Sequence, residues 1–379
     1  MKTVGIICEY NPFHLGHKKQ FDIIRRELGE DTAIVCLMSG NFVQRGAPAI
    51  FDKSLRAQAA ILSGADLVLE LPVQYALSSA EGFAAGGVKI LSGFCDYLCF
   101  GCETGTKDTL WETTHALLSS EFSDALRLQL DKGLSFPAAR QTALGEKGAL
   151  LQNPNDILAV EYCKAILSEN SPMQILPIQR QGSYHDTEAD RANPSATAVR
   201  ALITNAHDWK SYIPKTAWEV FDGAVVHTLT AGERAILTKL RSMNEEEFEA
   251  LPYGSEGLWR KLMHACRSCA SLEEIIAATK SKRYTRTRLD RMVMCAYLGI
   301  TKEALEAPAP HTRVLAFNGA GRTILKKARE FGTFPHVGEN MDDAYWTLEQ
   351  RLSDLYDLFT VGEISPAGQE AKRRVFYKK

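Results

Sequence analysis

The sequence predicts an α/β protein, a doubly wound parallel sheet followed by a mostly α-helical C-terminal region. Three observations carry this expectation. In the first hundred residues, short and nearly continuous apolar runs alternate with amphipathic stretches. Glycines and polar turn residues fall between them. Beyond about residue 231 the apolar spacing becomes helical and strand-like runs almost vanish. Apolar runs without strict alternation belong to strands buried on both faces, as in parallel sheets covered by crossover helices.

The elements follow in order. Residues 3–8 read as the first strand, and residues 17–28 as a helix ended by Gly29. Residues 32–38 are a second strand. Residues 52–63 are a helix with apolar Leu55, Ala59 and Leu62, stopped by Gly64. Glycine ends helices because it adopts the left-handed conformation without a Cβ clash. Residues 67–71 are a third strand, 79–91 a third helix and 97–100 a fourth strand. Residues 107–170 are mostly helical, and residues 173–178 return to the sheet as a fifth strand. Residues 194–203 start another helix, with Ser195 as its cap. Composition shifts only gradually, so we place the division between 1–215 and 216–379. The basic tail, Lys372, Arg373, Arg374, Lys378 and Lys379, is expected to be poorly ordered.

Composition excludes some classes of function. The chain has 379 residues, 45% hydrophobic and 24% charged, with a net charge of −2. It is no polycation, so any nucleic-acid contact must come from a local patch. Nine cysteines are scattered along it, and Cys8, Cys36 and Cys99 lie inside apolar runs, as reduced buried thiols do. No secretory signal and no apolar run of about 20 residues is present. A cytoplasmic protein with no membrane contact and no evident obligate protein partner is expected.

The chemistry is expected just after the first strand, in Glu9-Tyr10-Asn11-Pro12-Phe13-His14-Leu15-Gly16-His17. This turn sits at the carboxyl end of a parallel strand and opens a helix. That edge is where doubly wound sheets bind ligands, and a helix N-terminus offers free N–H groups to phosphate. Gly16, without a Cβ, lets a nucleotide approach. His14 and His17, bracketing the first helical turn, can donate to phosphate oxygens as charge develops at the α-phosphorus. Far downstream, Ser195-Ala196-Thr197-Ala198-Val199-Arg200 is a second helix start with a basic residue.

The Pro12-Phe13-His14-Leu15-Gly16-His17 run resembles the HxGH motif of the nucleotidyltransferase superfamily, and the 195–200 run resembles its second motif. The resemblance implies a Rossmann-like fold of the HxGH nucleotidyltransferase type. It makes His14, His17 and Arg200 the candidate catalytic residues, with Arg200 facing the β- and γ-phosphates. Further stretches narrow the resemblance to the bacterial tRNA(Met) cytidine acetate ligases. They are Met38-Ser39-Gly40-Asn41-Phe42-Val43-Gln44-Arg45-Gly46, Gly64-Ala65-Asp66-Leu67-Val68-Leu69-Glu70-Leu71-Pro72, Phe100-Gly101-Cys102-Glu103, Pro154-Asn155-Asp156-Ile157-Leu158-Ala159-Val160-Glu161-Tyr162 and Lys282-Arg283-Tyr284-Thr285-Arg286.

That family implies a two-step ligase. Acetate attacks the α-phosphate of ATP, giving acetyl-adenylate and pyrophosphate. The N4 amine of the wobble cytidine of elongator tRNA(Met) then takes the acetyl group, giving N4-acetylcytidine and AMP. The resemblance places ATP along Ile7, Cys8, Glu9, Tyr10, Asn11, Pro12, Phe13, His14, Leu15, Gly16, His17, Lys18, Lys19 and Gln20, with Gly101, Asn155 and Arg180. The second motif adds Ser195 and Thr197. Lys18 departs from the uncharged residue common in the family and reads as solvated. No dedicated metal cage is visible, so Mg²⁺ is expected to enter with ATP. Asn41, Gln44 and Arg45 are candidates for an acceptor-side loop, and one of Asp66 and Glu70 for a structural role.

The 280–291 stretch holds six basic residues and one acid. Within it Lys282, Arg283, Tyr284, Arg286 and Arg288 are the candidate tRNA contacts, with Arg313, Arg322, Lys326 and Lys327 extending the patch. Two rival readings remain. One is a metabolic adenylyltransferase for a small phosphorylated acceptor, which would not need the helical C-terminal region. The other is a catalytically silent RNA-binding protein, against which intact His14, Gly16, His17 and Arg200 speak. A zinc site at Cys95, Cys99 and Cys102, or at His264, Cys266 and Cys269, is disfavoured, because the first set straddles a buried strand and the second sits on a helix.

Overall fold

A computed structural model describes residues 1–134, 136–179, 194–309, 311–330 and 344–379. Its centre is a seven-stranded sheet of β1 (Thr3–Cys8), β2 (Ala33–Ser39), β3 (Leu67–Leu71), β4 (Tyr97–Cys102), β5 (Gln174–Gln179), β6 (Arg313–Phe317) and β7 (Phe376–Tyr377). The spatial order is β5-β4-β1-β2-β3-β6-β7. The five strands expected from the sequence are all present and mutually parallel. The order reverses between β1 and β4, which leaves a crevice beyond the carboxyl ends of those two strands.

Helices cover both faces. The helices α1 (Leu15–Leu28), α2 (Lys53–Leu62), α3 (Ala80–Leu91), α4 (Pro154–Ser168) and α5 (Ala196–Thr204) complete this layer. Phe21, Ile24, Ile61 and Val199 of α1, α2 and α5 pack on one face. Phe83, Val88, Val160 and Ile166 of α3 and α4 pack on the other. Every residue of β2 is buried, which explains its unbroken apolar run. Helix starts are set by local caps. His14, Asp52, Ser79 and Ser195 each accept a backbone N–H from their own first turn. Because His14 caps α1, that helix starts at Leu15, earlier than apolar spacing suggests.

The C-terminal helices Leu229–Ser242, Leu258–Ser268, Leu272–Thr279, α6 (Arg286–Leu298) and α7 (Ala344–Asp357) surround a second core that includes Ile236, Leu262, Ile275, Met292 and Leu352. This half is mostly helical, as the sequence suggested, but it also adds two short strands to the sheet. β6 runs antiparallel to β3 and extends the sheet, and β7 pairs with β6. The basic tail is therefore ordered rather than loose. Arg373 pairs with Asp52 and, at 3.0 Å, with Glu370.

Lys53 and Arg56 are unexpected on the buried face of α2, where Leu55 and Leu62 are only half-buried. Lys53 Nζ lies 2.7 Å from Glu70, 3.2 Å from Glu349 and 3.1 Å from Glu370. Arg313 pairs with Glu370 as well. This buried ionic cluster joins α2, β3, β6, α7 and the tail. Removing one partner would leave an uncompensated buried charge, so the cluster fixes how these elements dock. Glu70 is thereby structural. So is Asp66, whose Oδ2 accepts Ile34 N at 2.8 Å and whose Oδ1 accepts Asn318 Nδ2 at 2.8 Å.

Candidate active site

A cavity of about 400 Å³ opens at the β1–β4 crevice. Its size and place suit a nucleotide-sized ligand. The chain leaves β1, turns at Tyr10 with φ 45°, passes the cis Asn11-Pro12 peptide and enters α1. Tyr10 and Phe13 are buried, and their rings lie 4.8 and 5.5 Å from the His17 ring. The imidazoles of His14 and His17 stack at 3.8 Å.

The hydrogen bonds of this turn set the tautomer of both rings. His14 Nδ1 accepts Gly16 N at 3.1 Å, and His17 Nδ1 accepts His14 N at 3.2 Å. Each neutral ring then carries its proton on Nε2, which makes Nε2–H the donor. Both rings line the cavity. Gly16 serves this arrangement directly. A Cβ there would sit 2.9 Å from His14 Cε1, so the missing side chain makes room for the imidazole as well as for a ligand.

The start of α5 faces the same cavity. Ser195 Oγ accepts Ala198 N at 3.1 Å and is buried. Arg200 donates to Asn11 O at 2.7 Å and to Thr197 Oγ1 at 3.1 Å, so its guanidinium ties the second motif to the first. Asn11 is held from the other side, its Oδ1 accepting Ile50 N at 2.8 Å. Opposite, Asn155 donates to Glu103 Oε1 at 2.6 Å beside Gly101. Burial pushes the neighbouring Asp156 carboxyl up. Hydrogen bonds from Thr104, Asn153 and the Glu103 backbone outweigh that and hold it below its ordinary value. Phe83, Phe100, Leu158 and Tyr162 supply the apolar lining. Burial pushes the Cys8 thiol well up, so Cys8 lines the cavity as a neutral group.

The cavity thus gathers Ile7, Cys8, Glu9, Tyr10, Asn11, His14, Gly16, His17, Lys19, Gln20, Gly101, Asn155, Ser195, Thr197 and Arg200, together with Gln44 and Arg45. It does not gather every candidate. Pro12, Phe13 and Leu15 support the turn without lining the cavity. Lys18 pairs with Asp22 along α1, away from it. Arg180 lies outside the described residues. Asn41 also departs from the expected acceptor role. Its Oδ1 accepts Lys53 N at 2.8 Å and its Nδ2 donates to Asp52 at 3.3 Å, so the side chain braces the start of α2.

The basic segment is more neutral than its composition implies. Arg283 pairs with Glu256 at 2.8 Å, and Tyr284 donates to the same carboxylate. Arg286 makes two bonds of 2.7 Å to Glu273 and one of 2.9 Å to Asp290. Arg288 donates to Tyr253 O at 2.8 Å and to Ser255. Lys282 is exposed, as are Arg322, Lys326 and Lys327, whereas Arg313 is drawn into the buried ionic cluster and cannot extend a surface patch.

Arg56 was not legible as a site residue. It is fully buried and donates to Phe51 O at 2.8 Å, Ser39 O at 3.2 Å, and the carbonyls of Glu9 and Gly40. It pins the loops after β1 and β2 together beneath the cavity. The one sequence signal was a guanidinium beside Ala57, on a helix face that apart from Lys53 is apolar. Among the described residues no group of three His, Cys, Asp or Glu side chains is placed to hold a metal ion.

Comparison with known proteins bears on this geometry. A family model described as HIGH Nucleotidyl Transferase matches residues 1–371. A tRNA(Met) cytidine acetate ligase of Clostridium novyi (strain NT) is 38% identical over 380 residues, covering 94% of this chain and 93% of that one. One from Thermosipho melanesiensis is 34% identical, covering 89% and 84%. The crystal structure of apo Thermotoga maritima TmcAL superposes with a TM-score of 0.91 at 30% identity, covering 100% of this chain and 99% of that one. The same protein bound with alpha-thio ATP superposes at 0.88 with 29% identity, again over 100% and 99%.

Proposed function

Since this chain belongs to the tRNA(Met) cytidine acetate ligase family of HIGH nucleotidyltransferases, we propose that it is an ATP-dependent, RNA-modifying ligase that activates acetate and passes it to tRNA. The observation that supports this reading is the paired Nδ1 bonding of His14 and His17, which leaves two Nε2–H donors on rings that line the same cavity as Arg200.

The chemistry needs positioning and charge neutralisation more than covalent machinery. An acetate oxygen attacks the α-phosphorus of ATP and the bond to the β-phosphate oxygen breaks. Acetyl-AMP and pyrophosphate result. His14 and His17 hold the α-phosphate oxygens as charge builds there, and Arg200 stabilises the departing pyrophosphate. Mg²⁺ carried in on the ATP substrate would screen the phosphate charges. The N4 amine of the wobble cytidine of elongator tRNA(Met) then attacks the acetyl carbon. AMP leaves, the amine loses a proton, and N4-acetylcytidine is formed. A cytidine reaches this cavity by leaving the anticodon stack. Gln44 and Arg45 stand at the acceptor side. Residues 216–379 would hold the tRNA through Lys282, Arg283, Tyr284, Arg286 and Arg288, while 1–215 carry the chemistry. A cytoplasmic setting is in keeping with this, and no helix among the described residues is long and apolar enough to cross a membrane.

The test is pyrophosphate release from ATP with and without acetate. Release that depends on acetate is expected. Release that ignores acetate and requires a small phosphorylated metabolite would instead identify a metabolic adenylyltransferase.

A further inference from the structure

The 39–46 loop touches both halves of the molecule. On one side Gln44 and Arg45 line the cavity, and Gln44 N donates to Glu9 Oε1 at 2.9 Å. On the other, Phe42 is sunk into the helical core, 5.9 Å from the Tyr356 ring and 6.1 Å from that of Phe359. Gly46, at φ 75°, lies directly against the first turns of α6. A Cβ there would meet Arg291 N and the Asp290 carbonyl carbon at 2.4 Å each. Arg291 is only 8% exposed, its guanidinium lies 5.1 Å from the Tyr253 ring, and its Nη1 donates to Gln44 O at 3.4 Å.

The Gln44 residue is therefore held from two directions. Its N–H is fixed by a carboxylate of the cavity and its C=O by a side chain of α6. The helix that supplies Arg291 is the one opened by the basic segment. A helix transmits displacement along its axis with little loss, and close packing at Gly46 leaves no slack between it and the loop.

We propose that the 39–46 loop is a mechanical link from the basic start of α6 to the cavity, with Gly46 and Arg291 as positioning residues for acetyl transfer and not for adenylation. This rests on the ligase reading above. A polyanionic RNA docked at the start of α6 sets the position of that helix. Through Gly46 and Arg291 it sets the Gln44 peptide, and with it the Gln44 and Arg45 side chains at the acceptor side of the cavity. Adenylation involves ATP and acetate alone and does not require the link. Transfer does, because the acceptor base must meet the acetyl carbon in attack geometry.

The experiment measures the two half-reactions separately in the full-length protein. One is acetate-dependent ATP–pyrophosphate exchange without RNA. The other is steady-state acetyl transfer to tRNA. The variants are Gly46→Ala, Arg291→Lys and Arg291→Gln. Exchange is expected to stay within about twofold of wild type, while kcat for transfer falls roughly tenfold or more at unchanged KM for tRNA. Arg291→Lys should recover part of what Arg291→Gln loses. Exchange and transfer falling in parallel, or transfer left intact, would overturn the link. If Gly46→Ala does not fold, as judged by thermal unfolding, the two Arg291 variants decide the same question. A wild-type protein with no acetate-dependent exchange would overturn the ligase reading, and this inference with it. A wild type that exchanges while the variants transfer normally would overturn the inference alone.

Discussion

Two helix starts on this chain carry the residues that chemistry singles out, and they are built in opposite ways. At the start of α1, the eight consecutive residues from Tyr10 to His17 hold one another. The imidazoles accept backbone N–H groups two or three residues away, and the rings below them come from the same turn. Its polar side chains converge on a cavity. At the start of α6 the basic side chains turn to acids and carbonyls far off in sequence, Glu256, Glu273 and Tyr253. A motif with local geometry can be read from spacing. A run of charge cannot, because its effective charge depends on which distant acids fold beside it.

The comparison predicts large catalytic effects at α1 and graded, salt-dependent effects at α6. His17→Ala should lower acetate-dependent ATP–pyrophosphate exchange by roughly 10²–10³-fold, the effect of removing one preorganised donor. Near-wild-type exchange in that variant would remove the α1 half of the contrast. Gly16→Ala should lower the same rate by about tenfold or more, because the new methyl group displaces the His14 ring. Full exchange there would mean that the ring tolerates the shift.

Effects at α6 should be smaller and confined to tRNA. Arg283→Ala combined with Arg286→Ala should weaken tRNA binding, flatten its dependence on salt by about one to two phosphate contacts, and spare exchange. Glu273→Gln sharpens the point. Releasing Arg286 from its carboxylate should strengthen tRNA binding by a few-fold, on the order of one surface ion pair. Unchanged binding in both variants would place the RNA elsewhere.

The smallest effect is on stability. Burial, then the charge of Glu70, push the Glu349 carboxyl from its ordinary 4.5 up to about 7. The folded protein therefore holds a proton that the unfolded chain has already lost. Its stabilisation is complete below about pH 4.5 and is lost as pH rises through about 7. Denaturant unfolding should show stability falling by on the order of 1 kcal/mol between about pH 5 and 8, with the slope reduced in Glu349→Gln. An unchanged slope would place the titrating group elsewhere in the cluster.

What could be read from the sequence divides along the same line. The five parallel strands, the cap at Ser195 and the turn that opens α1 are local features, and local chemistry announces them. β6 is five residues long, begins with an arginine and lies between helices, so nothing nearby marks it as a strand. Its partner β3 is far upstream. The tail looked loose because Glu370 is the one acid near its cations in sequence, yet Arg373 also finds Asp52 across the fold. Asn41 had the composition of a ligand-binding loop, but the start of α2 takes its side chain. Arg56 was hidden for the converse reason, as a charge among alanines whose partners are carbonyls at the ends of β1 and β2.

The central claim is that the turn at His14 and His17 activates acetate for a tRNA cytidine. Mass spectrometry of nucleosides from elongator tRNA(Met), after incubation with the protein, ATP and isotopically labelled acetate, tests it most directly. The account predicts one labelled N4-acetylcytidine at the wobble position, dependent on ATP and absent with His17→Ala. Unmodified cytidine from the wild-type protein, in the presence of both substrates, would contradict it.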